Sequence, residues 1–594
     1  MIRQLREQMK QENISVYVIP TCDFHDSEYV GEHFAVRKAF SGFTGSAGTL
    51  VITPDDAALF TDGRYFVQAE RQLRGTGIQL MKMGEPGVPD INDYIKNQVK
   101  EGTNIGIDGR VVSFDLGQML MKMAKEKGGC LLSDADLAGE IWKERPSMEF
   151  HKLFRLPLLY TGEETADKLK RVRKAMEEFG TDTLLLATLD DIAWLFNIRG
   201  TDVPSNPIVF AYACIEKNHA VLYLDKAAYD AEDVNAFAAN AVELRPYTQI
   251  YEDVLHLENH VILTDVKRTN YELVKRAGTH NKVIHATSPT TLMKAVKNKV
   301  EIDNTRKIHL ADGAAVTKFM YWLKTKACTD GSEHSVTEQE AAEYLDHLRS
   351  QIDGYLDLSF DTISAYGANA AMMHYNAKTG NNCHLKEGNM LLVDSGGQYY
   401  NGTTDITRTF AIGTLTRQMK KHFTTVAVSM LRLMNLQFLY GCCGCNLDII
   451  ARQPLWALGL DYKCGTGHGV GHILNVHEGP NVFRWKVRNT SSLIPVEAGM
   501  ITTDEPGVYL EGEYGIRTEN ELLCEERFRN QDGIFMGFSC LTFAPIDLDA
   551  IDPDVMEPQD KAYLNAYHKQ VYENISPYLD EKEREWLKEY TRGI

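Results

Sequence analysis

The sequence lacks any long hydrophobic run. Apolar stretches such as TLLLA and NMLLV are far shorter than the ~20 residues that a membrane-spanning helix needs. The first twenty residues, MIRQLREQMKQENISVYVIP, mix charged with apolar residues and contain no uninterrupted apolar segment of the kind found in secretory signals. We therefore expect no membrane segment.

Basic residues and paired cysteines are also scarce. Lys and Arg number 63 against 82 Asp and Glu, which gives a formal net charge of −19 and disfavours a nucleic acid or an anionic membrane as partner. The eleven cysteines are scattered except for Cys442, Cys443 and Cys445. We interpret that cluster as free thiols, because no second cysteine pair lies nearby to complete a zinc site. This pattern predicts a reducing, cytoplasmic location.

The length and the repeats in the sequence predict three domains. At ~150 residues per domain, 594 residues are too many for one core. Residues 1–150 alternate short apolar runs with helical stretches, which is typical of an α/β domain. Residues 15–23 resemble residues 182–190, an offset of 167, so we expect a second, similar domain over residues 151–305. The glycines at 42, 45 and 48 lack the spacing of a phosphate-binding loop and predict a close-packed turn.

Residues 306–594 form the third predicted domain. Its first part has the apolar spacing of amphipathic helices, and from Phe360 onward come glycine-rich strands that bear carboxylates and histidines. The tail after Asp547 predicts a terminal helix. We therefore expect an α+β domain that carries the chemistry of the protein.

The segment NMLLVDSGGQYYNGTTDITRTF contains two aspartates on a predicted hairpin. A turn at Asn401-Gly402 would place Asp405 opposite Gln398 and on the same face as Asp394. The four-residue offset between the aspartates would separate them by ~13 Å along a strand. We therefore predict a bend at Gly396-Gly397 that brings the two together.

The segment CGTGHGVGHILNVHEGP alternates glycines with other residues. In a strand, this pattern leaves one face as bare backbone that another chain segment can approach, while His468 and His472 line the other face. The two histidines have the spacing of a zincin helix, but flanking glycines and the missing Glu exclude that motif. His477 is the third histidine within ten residues.

The segment AGMITTDEPGVYLEGEYGIRTENELLC adds more acidic residues. A strand is predicted to end at Glu505, followed by a Pro-Gly stop and a return strand in which Arg517 and Glu519 share a face. The three segments together supply four carboxylates and one imidazole, which suits a site with two metal ions ~3.5–4 Å apart. Two divalent cations would neutralise four carboxylates, and the oxygen-rich set favours Mn²⁺ while tolerating Co²⁺, Fe²⁺ or Zn²⁺.

These segments resemble the pita-bread metallopeptidases, a family that includes methionine aminopeptidase, aminopeptidase P and prolidase. The wording DSGGQYYNGTTDITRT, GTGHGVGHILNVHEGP, TDEPG and GIRTEN looks most like that of the three-domain Xaa-Pro aminopeptidases. The resemblance implies two creatinase-like α/β N-terminal domains, a pita-bread α+β catalytic domain, and a homodimer. It also implies a hydrolase that acts on peptides with proline in second position.

The resemblance assigns roles to individual residues. It makes Asp394 a ligand of one metal ion, Asp405 and Glu519 bridging ligands, and His468 and Glu505 ligands of the other ion. Two further implied roles are substrate or proton handling by His374 and His477, and an arginine behind the ligands at Arg517. We also expect Glu505 to take the proton of the attacking water.

One departure from the family wording is Cys464, which stands where many aminopeptidases P have a pocket-lining histidine. All five ligand positions remain filled, so we expect this change to affect substrate contacts and leave metal binding intact. Two alternatives stay open at this point. One is a prolidase, which cleaves only Xaa-Pro dipeptides, and the other is a non-catalytic binding module that shares the fold.

Overall fold

Two units can be distinguished in the computed structural model, which describes residues 1–327, 336–487 and 493–594. One unit comprises Met1–Leu158 and Glu163–Thr291, and the other comprises Leu159–Gly162 and Leu292–Ile594. None of the described helices is both long and apolar enough to cross a membrane. Every cysteine in the described ranges is a free thiol.

The first part of the N-terminal unit is a six-stranded sheet with helices on both faces. Its strands are β1 (Ile14–Pro20), β2 (Thr49–Ile52), β3 (Ala57–Thr61), β4 (Gln79–Lys82), β5 (Asn104–Gly106) and β6 (Leu131–Leu132), in the order β4-β3-β2-β1-β5-β6. Its helices are α1 (Ile2–Gln11), α2 (Val36–Ser41), α3 (Phe66–Gln72), α4 (Ile91–Gln98), α5 (Phe114–Glu126) and α6 (Leu137–Ile141).

Strand β1 illustrates why this sheet is covered on both faces. Tyr17 and Ile19 pack into one apolar cluster, whereas Val16 and Val18 pack into another. Because successive side chains of a strand point to opposite faces, the continuous apolar run SVYVIP packs against the apolar clusters on both faces of the sheet. The predicted close-packed turn is confirmed at Gly45, where an added Cβ would lie 2.3 Å from the ring of Phe43.

The second part of the N-terminal unit repeats this topology. Its six-stranded sheet has the order β12-β11-β10-β8-β13-β14 and the same succession of parallel and antiparallel pairs as the first, which confirms the predicted duplication. The strands of this sheet are β8 (Thr183–Leu186), β10 (Ala211–Glu216), β11 (Ala220–Leu224), β12 (Val242–Pro246), β13 (Val261–Thr264) and β14 (Lys282–His285), whereas β7 (Phe154–Arg155) and β9 (Ile198–Arg199) pair in a separate two-stranded sheet. The helices are α8 (Thr165–Glu178), α9 (Leu189–Phe196), α10 (Ala231–Ala238), α11 (Ile250–His256) and α12 (Tyr271–Ala277). Helices α7 (Leu158–Thr161) and α13 (Pro289–Ala295) include residues of both units.

The C-terminal unit begins with the helices that the apolar spacing predicts. Asn298 and Glu301 form a reciprocal cap at the start of the long helix, as expected for this residue pair. The predicted terminal helix is present as two helices separated by a short 3₁₀ turn at Ser576–Tyr578. The helices are α14 (Lys299–Trp322), α15 (Glu338–Ser350), α16 (Arg417–Met434), α17 (Gly444–Trp456), α18 (Pro558–Ile575) and α19 (Glu581–Tyr590).

The strands of the C-terminal unit form several sheets, with the orders β16-β17-β20, β15-β18-β19, β21-β28-β27-β24-β22-β23 and β25-β26. They are β15 (Tyr355–Leu358), β16 (Ile363–Tyr366), β17 (Asn389–Ser395), β18 (Gly397–Tyr399), β19 (Gly402–Thr403), β20 (Ile406–Ile412), β21 (Gln437–Leu439), β22 (Gly467–Gly469), β23 (Glu478–Phe483), β24 (Ile501–Asp504), β25 (Gly507–Leu510), β26 (Tyr514–Arg517), β27 (Asn520–Asn530) and β28 (Gly533–Cys540). The mixed helices and sheets confirm the predicted α+β class, after an α/β N-terminal part.

Candidate metal centre

The hairpin of Asp394 and Asp405 has a different register from the predicted one. Asp394 pairs with Thr407, and Gln398 pairs with Thr403, so the prediction that Asp405 faces Gln398 is wrong. The same register, continued, sets Asp405 across from Gly396, only two residues from Asp394. The shift brings the aspartates closer than the sequence alone suggested.

The turn of this hairpin is at Tyr400-Asn401, one residue before the predicted Asn-Gly pair. Tertiary contacts hold it there, because Tyr400 stacks on Tyr160 and Asn401 Nδ2 donates to Asn304 Oδ1 at 2.9 Å. The predicted bend is confirmed, since β17 ends at Ser395 and β18 begins at Gly397. An added Cβ on Gly396 would lie 1.8 Å from the Thr404 carbonyl oxygen.

Strand β22 presents His468 toward these acids. Its glycines have the predicted use, because an added Cβ on Gly467 would lie 1.9 Å from the Thr503 carbonyl oxygen. His468 Nε2 is 3.5 Å from Asp405 Oδ2 and 3.3 Å from Glu505 Oε1. Its other ring nitrogen, Nδ1, lies 2.9 Å from the Gly469 carbonyl oxygen, a contact that orients the ring.

The other two histidines of this segment differ in position. The strand ends at Gly469, so the prediction that His472 shares a strand face with His468 is wrong. His472 is buried, with its ring nitrogens 3.2 Å from Thr305 Oγ1 and 3.1 Å from the Tyr160 carbonyl oxygen. The ring of His477, by contrast, lies perpendicular to that of His468, with 4.2 Å between the centroids.

The two glutamates follow strand ends. Glu505 comes directly after β24, which ends one residue earlier than predicted, and its N–H donates to the Thr466 carbonyl at 2.7 Å. Strand β26 ends at Arg517, so the prediction that one strand carries both Arg517 and Glu519 is wrong. Glu519 lies between β26 and β27, and its Oε2 accepts from Thr407 Oγ1 at 2.6 Å. Thr407 therefore orients Glu519 from the same strand that follows Asp405.

Three of the predicted ligands converge on one point. One ligand atom each from Asp405, His468 and Glu519 lie within 4.8 Å of one another. Asp405 and Glu519 are buried, and His468 is partly buried. Within residues 1–327, 336–487 and 493–594, this is the one group of three or more such residues that could hold a metal ion.

The acids of this cluster disfavour one another's charge. Burial raises the pKa of Asp405 well above its usual value, and Glu519 and Asp394 raise it further. Burial likewise raises the pKa of Glu519, with Glu505 and Asp394 adding to the shift. Burial also raises the pKa of Glu505, although Arg517 opposes that shift. Ionised carboxylates at this density need positive charge between them.

Arg517 supplies part of that charge. Its Nη2 donates to Asp394 Oδ2, and its Nη1 donates to the Tyr509 hydroxyl at 2.7 Å. The other oxygen of Asp394, Oδ1, is buried and makes no hydrogen bond to any described residue. A buried carboxylate oxygen without a donor, beside acids that repel one another, fits divalent cations with oxygen-rich ligand sets.

A buried contact between a histidine and a glutamate behind the site was not predicted from the sequence. Glu521 Oε1 accepts from the Asp405 N–H at 2.7 Å and lies 3.2 Å from His309 Nε2. Glu521 and His309 are fully buried. The alternation of Glu519 and Glu521 in the sequence could have indicated Glu521. No local pattern indicates His309, because it lies on α14, more than two hundred residues earlier in the chain.

A second unpredicted contact lies next to His477. Glu478 is buried and forms ion pairs with Lys297 Nζ and, at 3.1 Å, with Lys294 Nζ. Both lysines are buried as well. They precede the long helix α14, so nothing in the local wording around His477 indicated them.

The predicted substrate histidine, His374, lies half-buried in the loop between β16 and β17. The carbonyl of the preceding residue, Met373, accepts from Arg517 Nη2 at 3.4 Å. Arg517 thus joins this loop to Asp394. Cys464 is partly buried against the same apolar cluster as Tyr509, and burial together with Glu505 raises the pKa of its thiol to about 12.

Comparison with known protein families assigns nearly all of the chain to a family or to a family-associated domain. Residues 303–526 match the model of metallopeptidase family M24, and residues 534–594 match the C-terminal region of that family. Residues 1–145 and 144–301 each match a creatinase/prolidase N-terminal domain. These matches confirm the resemblance drawn from the motifs.

Two relatives match over the full length of this chain and a third over part of it. A Tuber melanosporum protein named "Probable Xaa-Pro aminopeptidase P" is 38% identical over 100% of this chain and 98% of its own. The structure of an X-prolyl aminopeptidase from Caenorhabditis elegans, described as a cytosolic enzyme with a di-nuclear active site, is 33% identical, with a TM-score of 0.94 over 100% of this chain and 99% of its own. A Xaa-Pro dipeptidase from Bacillus anthracis, 23% identical with a TM-score of 0.50 over 65% of this chain and 99% of its own, shares the fold. The chain therefore belongs to metallopeptidase family M24, among the Xaa-Pro aminopeptidases.

Proposed function

We propose that this aminopeptidase removes the N-terminal residue from peptides with proline in second position, using two divalent metal ions. The ions would be held by the five predicted ligands, Asp394, Asp405, His468, Glu505 and Glu519. The observation that carries this proposal is the convergence of Asp405, His468 and Glu519 in a buried site whose acids raise one another's pKa. When bound, such ions polarise the scissile carbonyl and lower the pKa of the attacking water.

The chain's own residues would bind the peptide and move protons. We assign to Glu505 the acceptance of the proton of the attacking water, a role that a positioned carboxylate can fill. His477 lies against the ring of His468 and is suited to return a proton to the leaving amine. We assign His374 to contact with the substrate, since Arg517 links its loop to the acids.

We further propose Mn²⁺ as the native metal. Four carboxylates and one imidazole form a hard ligand set, which suits Mn²⁺ and tolerates Co²⁺, Fe²⁺ or Zn²⁺. Exhaustive chelation should abolish hydrolysis of Arg-Pro-Pro, and Mn²⁺ or Co²⁺ should restore it. Metal analysis before and after chelation checks the stoichiometry. Unchanged hydrolysis after verified metal loss would contradict the proposal.

The substrate length distinguishes an aminopeptidase from a prolidase. Relatives that match nearly the whole chain are named as aminopeptidases, whereas the Xaa-Pro dipeptidase covers 65% of this chain. We expect release of arginine from Arg-Pro-Pro and from longer peptides. Activity confined to Xaa-Pro dipeptides would instead indicate a prolidase, and no hydrolysis by fully metal-loaded protein would indicate a binding module.

We also propose that the protein is a cytosolic homodimer. The C-terminal unit exposes the rings of Trp456 and Trp485, each 38% accessible, with 5.6 Å between their centroids. Exposed aromatic pairs of this kind are typical of protein interfaces. Sedimentation velocity of the wild type and of Trp456→Ala tests the proposal, which predicts a dimer for the wild type and a shift toward monomer for the variant.

A further inference from the structure

The loop that carries His374 has little regular structure of its own. Between β16 and β17 it contains a 3₁₀ turn at Gly367–Ala371. Beyond that turn, the Met372 N–H donates to the Asn369 carbonyl and the Tyr375 N–H donates to the Met372 carbonyl, each at 3.0 Å. Such isolated turns are marginal by themselves, so contacts from outside the loop must fix the position of His374.

One buried carboxylate supplies most of these contacts. Glu338, the first residue of α15, is fully buried. Its Oε1 accepts from the Tyr366 N–H at 2.5 Å, and its Oε2 accepts from the Cys383 N–H at 2.7 Å and from the Tyr375 hydroxyl at 2.8 Å. Asn369 Nδ2 donates to both oxygens, at 3.0 and 3.1 Å.

These donors lie on both sides of His374 along the chain. Tyr366 and Asn369 precede it, whereas Tyr375 and Cys383 follow it. The loop is also shaped around the Tyr375 ring, because an added Cβ on Gly380 would lie 2.4 Å from that ring. Glu338 therefore closes the loop from both ends and contacts the residue directly after the histidine.

On the other side, the loop meets the metal centre. Arg517 donates to the Met373 carbonyl at 3.4 Å, and an added Cβ on Gly515 would lie 1.9 Å from the Ala370 carbonyl oxygen. The loop is thus fixed between strand β26 and Glu338. A displacement at Glu338 would be transmitted to His374, since no flexible spacer separates them.

We propose that Glu338 is a positioning residue, whose carboxylate holds the loop so that His374 faces the substrate. The proposal rests on the role of His374 in the proposed function. A carboxylate suits this place because every group that faces it is a donor. A glutamine would turn its own N–H₂ group toward donors and leave at least one of them unpaired, which costs more than the loss of one hydrogen bond.

The test compares Glu338→Gln and Tyr375→Phe with a matched control, Glu340→Gln. Glu340 lies on the same helix but is exposed, and a glutamine can replace it in the N-terminal cap. Hydrogen exchange of the holoenzyme is measured over residues 367–383 and over β17. We expect faster exchange in the loop for Glu338→Gln and, to a lesser extent, for Tyr375→Phe, with β17 and the metal content unchanged. The control should match the wild type.

The kinetic consequence is a lower kcat with little change in KM. A misplacement of about 1 Å can cost ~10²-fold in rate, so we expect a loss of ~10- to 100-fold for Glu338→Gln. In the background of His374→Ala, the same substitution should cause little further loss, because its effect passes through the missing imidazole. Rescue by Glu338→Asp, which keeps the charge, should be partial.

Several outcomes would overturn the proposal. Unchanged loop exchange in both Glu338→Gln and Tyr375→Phe would do so, and Tyr375→Phe remains informative if Glu338→Gln fails to fold. An equal kcat loss in the presence and absence of His374 would mean that Glu338 does not act through the histidine. Wild-type turnover by His374→Ala would instead refute the assigned role of His374, and the exchange data alone would then decide whether Glu338 holds the loop.

Discussion

Two buried polar clusters in this molecule differ in the charge of their side chains. In the N-terminal unit, His25 is buried with Nδ1 2.7 Å from the Ala187 carbonyl oxygen and Nε2 2.6 Å from the Tyr247 hydroxyl. Next to it, the hydroxyls of Tyr212 and Tyr251 are 3.1 Å apart. Burial lowers the pKa of His25 and raises the pKa of each tyrosine. All four groups are therefore neutral at pH 7.

At the metal centre, burial brings together groups of like charge. On top of the effect of burial, Glu519 raises the pKa of Asp405 and Glu505 raises the pKa of Glu519, and one oxygen of Asp394 has no donor. Both clusters consist of buried and partly buried side chains, so burial by itself does not indicate function. The informative feature is a set of buried acids that are stable in the ionised form only with added cations.

Of the substitutions that test this difference between the two clusters, His468→Ala should have the largest effect on metal binding and activity. The variant should lose metal as well as nearly all hydrolysis, because the imidazole is the one nitrogen ligand we assign to the site. His25→Ala, at the neutral cluster, should keep both metals. Metal analysis and Arg-Pro-Pro hydrolysis of the two purified variants check this. Full metal occupancy in His468→Ala would remove this residue from the ligand set.

A smaller loss is expected for His374→Ala. We predict that this variant keeps its metals but loses ~10²- to 10⁴-fold in kcat, the usual contribution of a positioned proton-transfer group. The comparison with His468→Ala separates a ligand from a group that acts on the substrate. Loss of metal in His374→Ala would instead place this histidine among the ligands.

How much of this could be predicted from the sequence differs between the two units. The duplicated sheets were predictable, because apolar runs such as SVYVIP and the repeat of residues 15–23 at residues 182–190 are local signals. The glycines of β22 were equally informative, since their alternation requires close backbone approach at Gly467. The family motifs predicted a set of site residues, and the structure places ligand atoms of three of them within 4.8 Å of one another.

The register of the Asp394 hairpin could not be predicted, because contacts from Tyr160 and Asn304, distant in sequence, outweigh the local preference for an Asn-Gly turn. The same holds for Glu338, which is more than thirty residues from His374 and has no motif of its own. Its place becomes evident only when the donors around it are seen. Buried polar networks join distant segments, and local patterns carry little information about them.

The third prediction concerns stability and the neutral cluster. The folded pKa of His25 is lowered, so below its unfolded pKa of ~6.5 the unfolded chain binds a proton that the folded chain does not. The stability that His25 contributes is therefore present above pH 6.5 and is lost as the pH falls toward the folded pKa.

His25→Gln removes the titrating ring and its contacts with the rings of Phe210 and Tyr212. We expect the variant to be less stable than the wild type at pH 7.5. Below pH 6.5, the difference in the free energy of unfolding should shrink by up to ~1.4 kcal/mol per pH unit, so the difference in Tm should be smaller at pH 5.5. His280→Gln, at an exposed histidine, serves as the control and should show no such change. A His25→Gln difference that is the same at both pH values would contradict the neutral assignment.

The smallest effect is expected for Cys464→Ser. Cys464 packs against the same apolar cluster as Tyr509, and burial together with Glu505 raises the pKa of its thiol to about 12. It is therefore protonated at pH 7 to 9, which disfavours metal capture and makes reaction with thiol reagents slow. The serine variant should keep both metals and most of its activity, and a thiol reagent should inhibit mainly by its bulk. Metal analysis and the rate of Arg-Pro-Pro hydrolysis check both points, and a serine variant that lost a metal ion would make Cys464 a sixth ligand.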